Sequence, residues 1–90
     1  MLKIIPTRQF KKDLKLLKNN NNDLQTLKNV ISVLQKEHSL HGLFNDHALR
    51  GNYKDYRECH IKPDLLLIYR IENDKLILIL KRVGSHSELF

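Results

Sequence analysis

Tyr56-Arg57-Glu58-Cys59-His60-Ile61-Lys62-Pro63-Asp64-Leu65-Leu66-Leu67-Ile68-Tyr69 is the stretch on which the fold turns. Residues Tyr53 to Ile61 alternate, with Tyr56, Glu58 and His60 on one face of a strand and Arg57, Cys59 and Ile61 on the other. Asp64 to Ile71 is apolar on both faces, as a central strand buried on both sides requires. Leu76 to Val83 supplies a third strand after a Glu72-Asn73-Asp74 turn. If both hairpin loops hold three residues, His60 stands opposite Asp64 and Asp64 opposite Arg82, a polar row across the sheet. A two-residue Asn73-Asp74 turn would slip that register.

Upstream, Leu2-Lys3-Ile4-Ile5 reads as a short strand stopped by Pro6, which has no amide hydrogen for a ladder. Thr7 is placed to cap a helix running to about Lys18, with Phe10, Leu14 and Leu17 on one stripe and Lys11, Lys12, Lys15 and Lys18 mostly off it. Asn19 to Asn22 makes a turn. Asn22 with Gln25 has the spacing of a capping box for a second helix, whose stripe is Leu24, Leu27, Val30, Ile31 and Leu34. So short a link makes the two helices an antiparallel hairpin. The pattern is an α+β domain of order β-α-α-β-β-β: an antiparallel sheet with a two-helix hairpin packed on one face. Phe10, Leu14, Leu17, Leu27, Ile31 and Leu34 should meet the face bearing Leu65, Leu67, Tyr69, Ile77 and Ile79.

Ninety residues make one domain, 1–90, and 41% hydrophobic with 29% charged content argues against disorder. The longest apolar run, Leu65 to Tyr69, is far too short to span a bilayer, and Met1-Leu2-Lys3-Ile4-Ile5-Pro6 does not read as a signal peptide. The lone Cys59 forms no internal disulfide, which points to a reducing, cytoplasmic setting without membrane attachment. The net charge of +6 sits wholly on residues 1–36, where eight Lys/Arg face two acids; residues 37–90 hold eight of each. A basic surface of this kind suits a phosphate backbone, and equally a solvated helix face.

Between Glu37 and Asn52 no clean period is found, and His38, His41 and His47 fall there. Their spacing matches no zinc pattern and no cysteine pair supports one, so the expectation is no metal and no cofactor. Cleaving RNA without a metal requires a base for the 2′-hydroxyl, an acid for the leaving 5′-oxygen, a cation for the phosphorane and a platform for the bases. Histidine suits both proton transfers, since its unperturbed pKa of about 6.5 leaves both forms populated near neutrality. His47, His60 and His86 are the candidates, with Arg82 for charge, Asp64 to orient a histidine and Phe90 to stack a base. Gly84 gives the tail bearing His86 freedom to fold back over the strand ends. The ordinary alternatives are structural histidines, a turn aspartate, a Glu58–Arg57 surface pair and a core phenylalanine. Cys59 is no nucleophile for His60 to activate, because adjacent strand residues point to opposite faces. Residue chemistry alone therefore reaches a small basic α+β domain suited to RNA.

Longer motifs go further. Asp46-His47-Ala48-Leu49-x-Gly51, Tyr56-Arg57-Glu58-x-His60-Ile61-x-Pro63-Asp64, Leu67-Ile68-Tyr69 and Gly84-Ser85-His86-x-x-Leu89-Phe90 resemble the YafQ-type branch of the RelE/ParE toxin superfamily over essentially the whole chain. The resemblance implies the toxin of a type II toxin–antitoxin pair, an endoribonuclease cutting mRNA in association with the ribosome, held inactive by a small, acidic, DNA-binding antitoxin. It places the functional histidines at His47, His60 and His86, the aspartate at Asp64, a phosphate-contacting arginine at Arg82 and the terminal aromatic at Phe90. Glu58 joins the substrate contacts where other members carry aspartate, and Lys11, Lys12 and Lys15 are expected to position RNA or ribosome. Ala48 departs from a common proline. A non-catalytic relative that binds nucleic acid or poisons gyrase is the alternative; members of that kind lack the histidine set.

Overall fold

The computed structural model describes residues 1–17, 20–40 and 42–90. Its elements are β1 (Lys3–Pro6), α1 (Arg8–Leu17), α2 (Asn21–Gln35), β2 (His47–Ala48), β3 (Arg57–Lys62), β4 (Leu65–Glu72), β5 (Ile77–Gly84) and α3 (His86–Leu89), with single 3₁₀ turns at Gly42–Phe44 and Gly51–Tyr53. The sheet order is β1-β5-β4-β3-β2. The expected α+β class, the helix pair on one face and the antiparallel β3–β4–β5 meander are all present. The order β-α-α-β-β-β is extended by a two-residue edge strand, β2, and by the terminal turn α3, and β1 runs parallel to β5, so the sheet is mixed. The helices carry the chain across one face before β3, and the two hairpins that follow bring β5 into the direction of β3, so that β5 meets β1 in parallel. Pro6 is the last residue of β1 rather than the first residue past it, tolerated because β1 is an edge strand.

Thr7 caps α1 as its chemistry predicts. Its Oγ1 accepts from the Phe10 amide at 3.0 Å and donates to the Lys81 carbonyl at 2.8 Å, tying the helix start to β5. For α2 the cap is Asn20 rather than Asn22: its side chain accepts from the Asp23 amide at 3.0 Å. Four consecutive asparagines offer several equivalent caps. The choice is reinforced by a distant partner, since Lys62 Nζ on β3 reaches Asp23 Oδ2 at 2.9 Å. Gln25 hydrogen-bonds Asn29 instead of closing a box. Lys18, Asn19 and His41 lie outside the described residues.

Two cores result from the alternation of β4. Leu65, Leu67 and Tyr69 face the helices with Cys59, Ile61, Leu78, Leu80 and Val83, against Phe10, Leu27, Val30 and Leu34. Leu66 and Ile68, both fully buried, face the other way with Leu89, Leu49, Tyr53 and Tyr56. Ile77 and Ile79 were expected on the helical side, where Leu78 and Leu80 are found. The β4–β5 connection takes four residues, Asn73 to Leu76, with Leu76 in the left-handed region at φ 55°, and a one-residue slip exchanges the faces.

Candidate active site

The connection between β3 and β4 is only Pro63-Asp64, with an irregularity between His60 and Lys62. His60 consequently pairs with Leu66 and Arg82 with Ile68, so the expected His60–Asp64–Arg82 row is not formed. A different row replaces it. His47 pairs with Glu58, Glu58 with Ile68 and Ile68 with Arg82, across four strands. The next row runs His60, Leu66, Gly84. These rows lie on the face away from the helical hairpin, where Leu66 and Ile68 are covered by Leu89, Leu49, Tyr53 and Tyr56, so the polar groups flank a packed patch.

On one side, His47 and Glu58 form a pair, with His47 Nε2 2.9 Å from Glu58 Oε2. His47 Nδ1 lies 2.7 Å from the Asn45 carbonyl, so that nitrogen donates; a ring protonated on both nitrogens meets an acceptor at each. Glu58 is buried, and its Oε1 has no hydrogen-bond partner among the described residues. The half-buried His60 ring lies 6.3 Å from that of His47, centre to centre, and has no hydrogen-bond partner among the described residues. Beside it opens a cleft of about 590 Å³ that includes Asn45, His60 and Lys62. The loop carrying His47 is anchored by Asp46, which accepts from the Tyr69 hydroxyl at 2.6 Å and from Arg57 Nε at 3.2 Å.

Arg82, His86 and Phe90 occupy the other side. The β5 strand gains a residue between its pairings to Ile68 and Tyr69, so Lys81 and Arg82 do not alternate normally. Arg82 is gripped by Asp13 of α1 through Nε at 3.0 Å and Nη2 at 2.9 Å, with the Tyr53 side chain also beside the guanidinium. Asp13 also accepts from the Val83 amide at 3.2 Å, on the edge of β5 that β1 is too short to cover. Burial alone raises the Asp13 carboxyl, but hydrogen bonds from Arg82, Gln9 and Val83 outweigh it and hold the group below its usual range.

The tail is a helical turn closed by a capping box: Ser85 Oγ accepts from the Glu88 amide, and Glu88 Oε1 accepts from the Ser85 amide at 2.7 Å. The Ser85 contacts hold the Glu88 carboxyl below its usual range. Gly84 serves this turn by space rather than by the freedom expected of it. Its φ is not in the left-handed region, and an added Cβ would lie 3.2 Å from Glu88 Oε1 and 3.3 Å from Leu89 Cδ2. Asp64, exposed in the β3–β4 turn, accepts from the His86 main-chain amide at 3.2 Å and so holds the backbone that carries the imidazole. The exposed Phe90 ring sits 5.0 Å from His86 and 5.4 Å from Tyr53.

His47, Glu58 and His60 are therefore gathered on β2 and β3, and Arg82, His86, Asp64 and Phe90 around the end of β5. Lys11, Lys12 and Lys15 are exposed on α1, the helix whose Asp13 grips Arg82. Cys59 is buried facing the helices, where burial pushes its thiol up to about 12, a poor nucleophile. Among the described residues no three side chains of metal-ligating type converge as an ion would need. Asp13 escaped the residue-level reading, although a signal was present: it lies three residues after Phe10 and four before Leu17, on the buried stripe, where an unpaired acid is untenable.

The family model described as a bacterial toxin of type II toxin–antitoxin system, YafQ, matches residues 2–90. The mRNA interferase toxin YafQ of Escherichia coli K12 is 39% identical over 83 residues, covering 91% of this chain and 88% of that protein. Among solved structures, a metal-bound toxin from Helicobacter pylori is 50% identical with a TM-score of 0.92, each chain covered completely. The E. coli DinJ–YafQ complex matches at 33% identity and a TM-score of 0.87, over 100% of this chain and 99% of the other.

Proposed function

Because the chain belongs to the YafQ family of toxins from bacterial type II toxin–antitoxin systems, we propose that it is an endoribonuclease that cuts mRNA and so stops translation. The observation that carries this reading is the division of the polar groups between the two strands flanking β4. Neighbouring strands lie about 4.7–4.9 Å apart, so β3 and β5 are separated by roughly 9–10 Å. With His60 on β3 and His86 on α3 just past the end of β5, a phosphodiester lying across the end of β4 meets an imidazole from each side.

His60 takes the proton from the 2′-hydroxyl; His47 is less suited, since both of its nitrogens are engaged. The 2′-oxygen then bonds to phosphorus while the bond from phosphorus to the 5′-oxygen breaks, and His86 returns a proton to the departing oxygen. The products carry a 2′,3′-cyclic phosphate and a 5′-hydroxyl. Each transfer of this kind is typically worth about 10²–10⁴-fold. Arg82, aimed by Asp13, places the N–H groups that Asp13 does not hold against the phosphorane. Glu58, shut beneath His47, acts by fixing that ring rather than by touching substrate. Asp64 fixes His86 through its main chain, and Phe90 stacks a flanking base for about 1–3 kcal/mol.

The site of action we assign is cytoplasmic mRNA on the ribosome, with Lys11, Lys12 and Lys15 meeting phosphates without taking part in the chemistry. The partner that restrains it is a cognate antitoxin, the counterpart of DinJ in the E. coli DinJ–YafQ toxin–antitoxin complex. No described helix is long and apolar enough to cross a membrane. End-mapping of cellular mRNA after brief expression, with purified protein and RNA in the presence of a chelator, tests the reading. Cleavage with cyclic-phosphate ends, a pH–rate profile with limbs on both sides of neutrality, and a folded but nearly inactive His86→Gln protein are expected. Full activity of His86→Gln, or activity abolished by the chelator, refutes the mechanism. Binding of RNA or gyrase without cleavage would make the protein a non-catalytic toxin.

A further inference from the structure

The geometry points to a second RNA subsite on the same sheet face, in which Lys81 and Arg70 hold a phosphate flanking the scissile one; it rests on the endoribonuclease reading above. From His86 a run of rings leads away from the site. Phe90 lies 5.0 Å from His86, Tyr53 lies 5.4 Å from Phe90 edge-on, and Tyr56 lies 6.5 Å from Tyr53 edge-on. At the far end two cations meet the Tyr56 ring: Lys81 Nζ at 5.6 Å and Arg70 Cζ at 5.8 Å from its centre.

The extra residue in β5 is what brings these groups together. Leu80 and Val83 both face the helices, three positions apart, so two consecutive residues must lie between them out of normal alternation. One of them, Lys81, turns to Tyr56; the other, Arg82, aligns with Ile68 in the catalytic row. A regular strand would deliver only one of the two cations to this face. Arg70 is already paired with Glu72 at 3.0 Å, whereas Lys81 has no ion-pair partner among the described residues. Lys81 therefore brings an uncompensated positive charge beside an apolar ring, which is the combination that single-stranded nucleic acid uses: a cation for the backbone and an aromatic edge to guide it. A strand with its scissile phosphate at Arg82 and a base on Phe90 has its neighbouring phosphate within this corner.

The test uses the whole protein and the substitutions Lys81→Gln and Arg70→Gln, singly and together, none of which touches the proton-transfer groups. Binding of a short single-stranded RNA with methylated 2′-hydroxyls is followed by anisotropy across a salt series, and cleavage of the unmodified RNA is measured in parallel. Loss of one phosphate contact lowers the slope of log affinity against log salt by about 0.7. The double variant should show that drop, a higher KM and an unchanged kcat, with the thermal midpoint of the native protein. Unaltered affinity and salt slope would overturn the subsite while leaving wild-type cleavage intact. Normal RNA binding with weakened antitoxin binding would overturn it too, by assigning the patch to the antitoxin. A wild-type protein that neither binds nor cuts RNA removes both the subsite and the endoribonuclease reading.

Discussion

Replacing Asp13 by asparagine tests how the helical layer holds Arg82, the arginine we propose to meet phosphate. The carboxylate is buried and accepts from Arg82 twice, from the Val83 amide and from Gln9. Hydrogen bonds to charged groups contribute about 1.5–3 kcal/mol, and breaking a buried ion pair costs about 3–5 kcal/mol. Arg82 keeps 23% of its side chain exposed and regains water when released, which reduces the penalty. An expected loss of about 2–4 kcal/mol follows, or roughly 10–25 °C in midpoint for a domain of this size. The sign of the pH effect is fixed by the depressed carboxyl. Stability from its ionisation is fully present above the ordinary value of 3.8 and is lost as pH falls through the lower folded value, so the gap between wild type and Asp13→Asn narrows in acid. Cleavage should fall about 10–100-fold at temperatures where the variant is folded, since a misplaced arginine loses part of an electrostatic contribution of about 10²–10³-fold. Urea denaturation and cleavage assays on Asp13→Asn, Arg82→Gln and the double variant measure the coupling. Strictly additive effects, or a wild-type midpoint for Asp13→Asn, would refute the reasoning.

Leu67→Ala should cost about 2–5 kcal/mol in urea denaturation, because the side chain is fully buried between sheet and helices. Gly84→Ala must displace Glu88 or Leu89, so we expect about 1–3 kcal/mol of destabilisation and a fall in kcat as α3 shifts; an unchanged kcat would detach the capping turn from the chemistry. Neutralising Lys11, Lys12 and Lys15 together should weaken RNA or ribosome binding and flatten its salt dependence without lowering the rate on bound RNA. Equal affinity at low and high salt in that variant and the wild type would place the basic footprint elsewhere.

Element types were legible because periodicity writes them directly: the apolar β4 run and the Phe10-Leu14-Leu17 stripe leave little freedom. Register was not. It depended on the two-residue Pro63-Asp64 turn with its irregularity after His60, on a four-residue turn that places Leu76 at positive φ and on an extra residue in β5, and none of these follows from the local sequence. That is why Asp64 moved out of the polar row and Glu58 moved into it. Asp13 and Asp46 were overlooked for a related reason, since their partners Arg82, Arg57 and Tyr69 are distant in sequence and only tertiary contact makes them necessary. The α2 cap shows the same dependence, because Lys62 from β3 reinforces the choice of Asn20.

The parallel pairing of β1 with β5 also sets an order of assembly. Lys3 pairs with Ile77, and Asp13 meets Arg82 across 69 positions of chain. Contacts that close so long a loop form late, after the local helix pair and the β3–β4–β5 hairpins have begun to repay their own ordering. A chain caught before that closure has His47 and His60 in place on β2 and β3 but an arginine swinging free at the end of β5. Aiming the cation thus belongs to the last event of folding, and Asp13→Asn should speed unfolding while leaving the folding rate nearly unchanged. A slowed folding limb in that variant would place the long closure early instead.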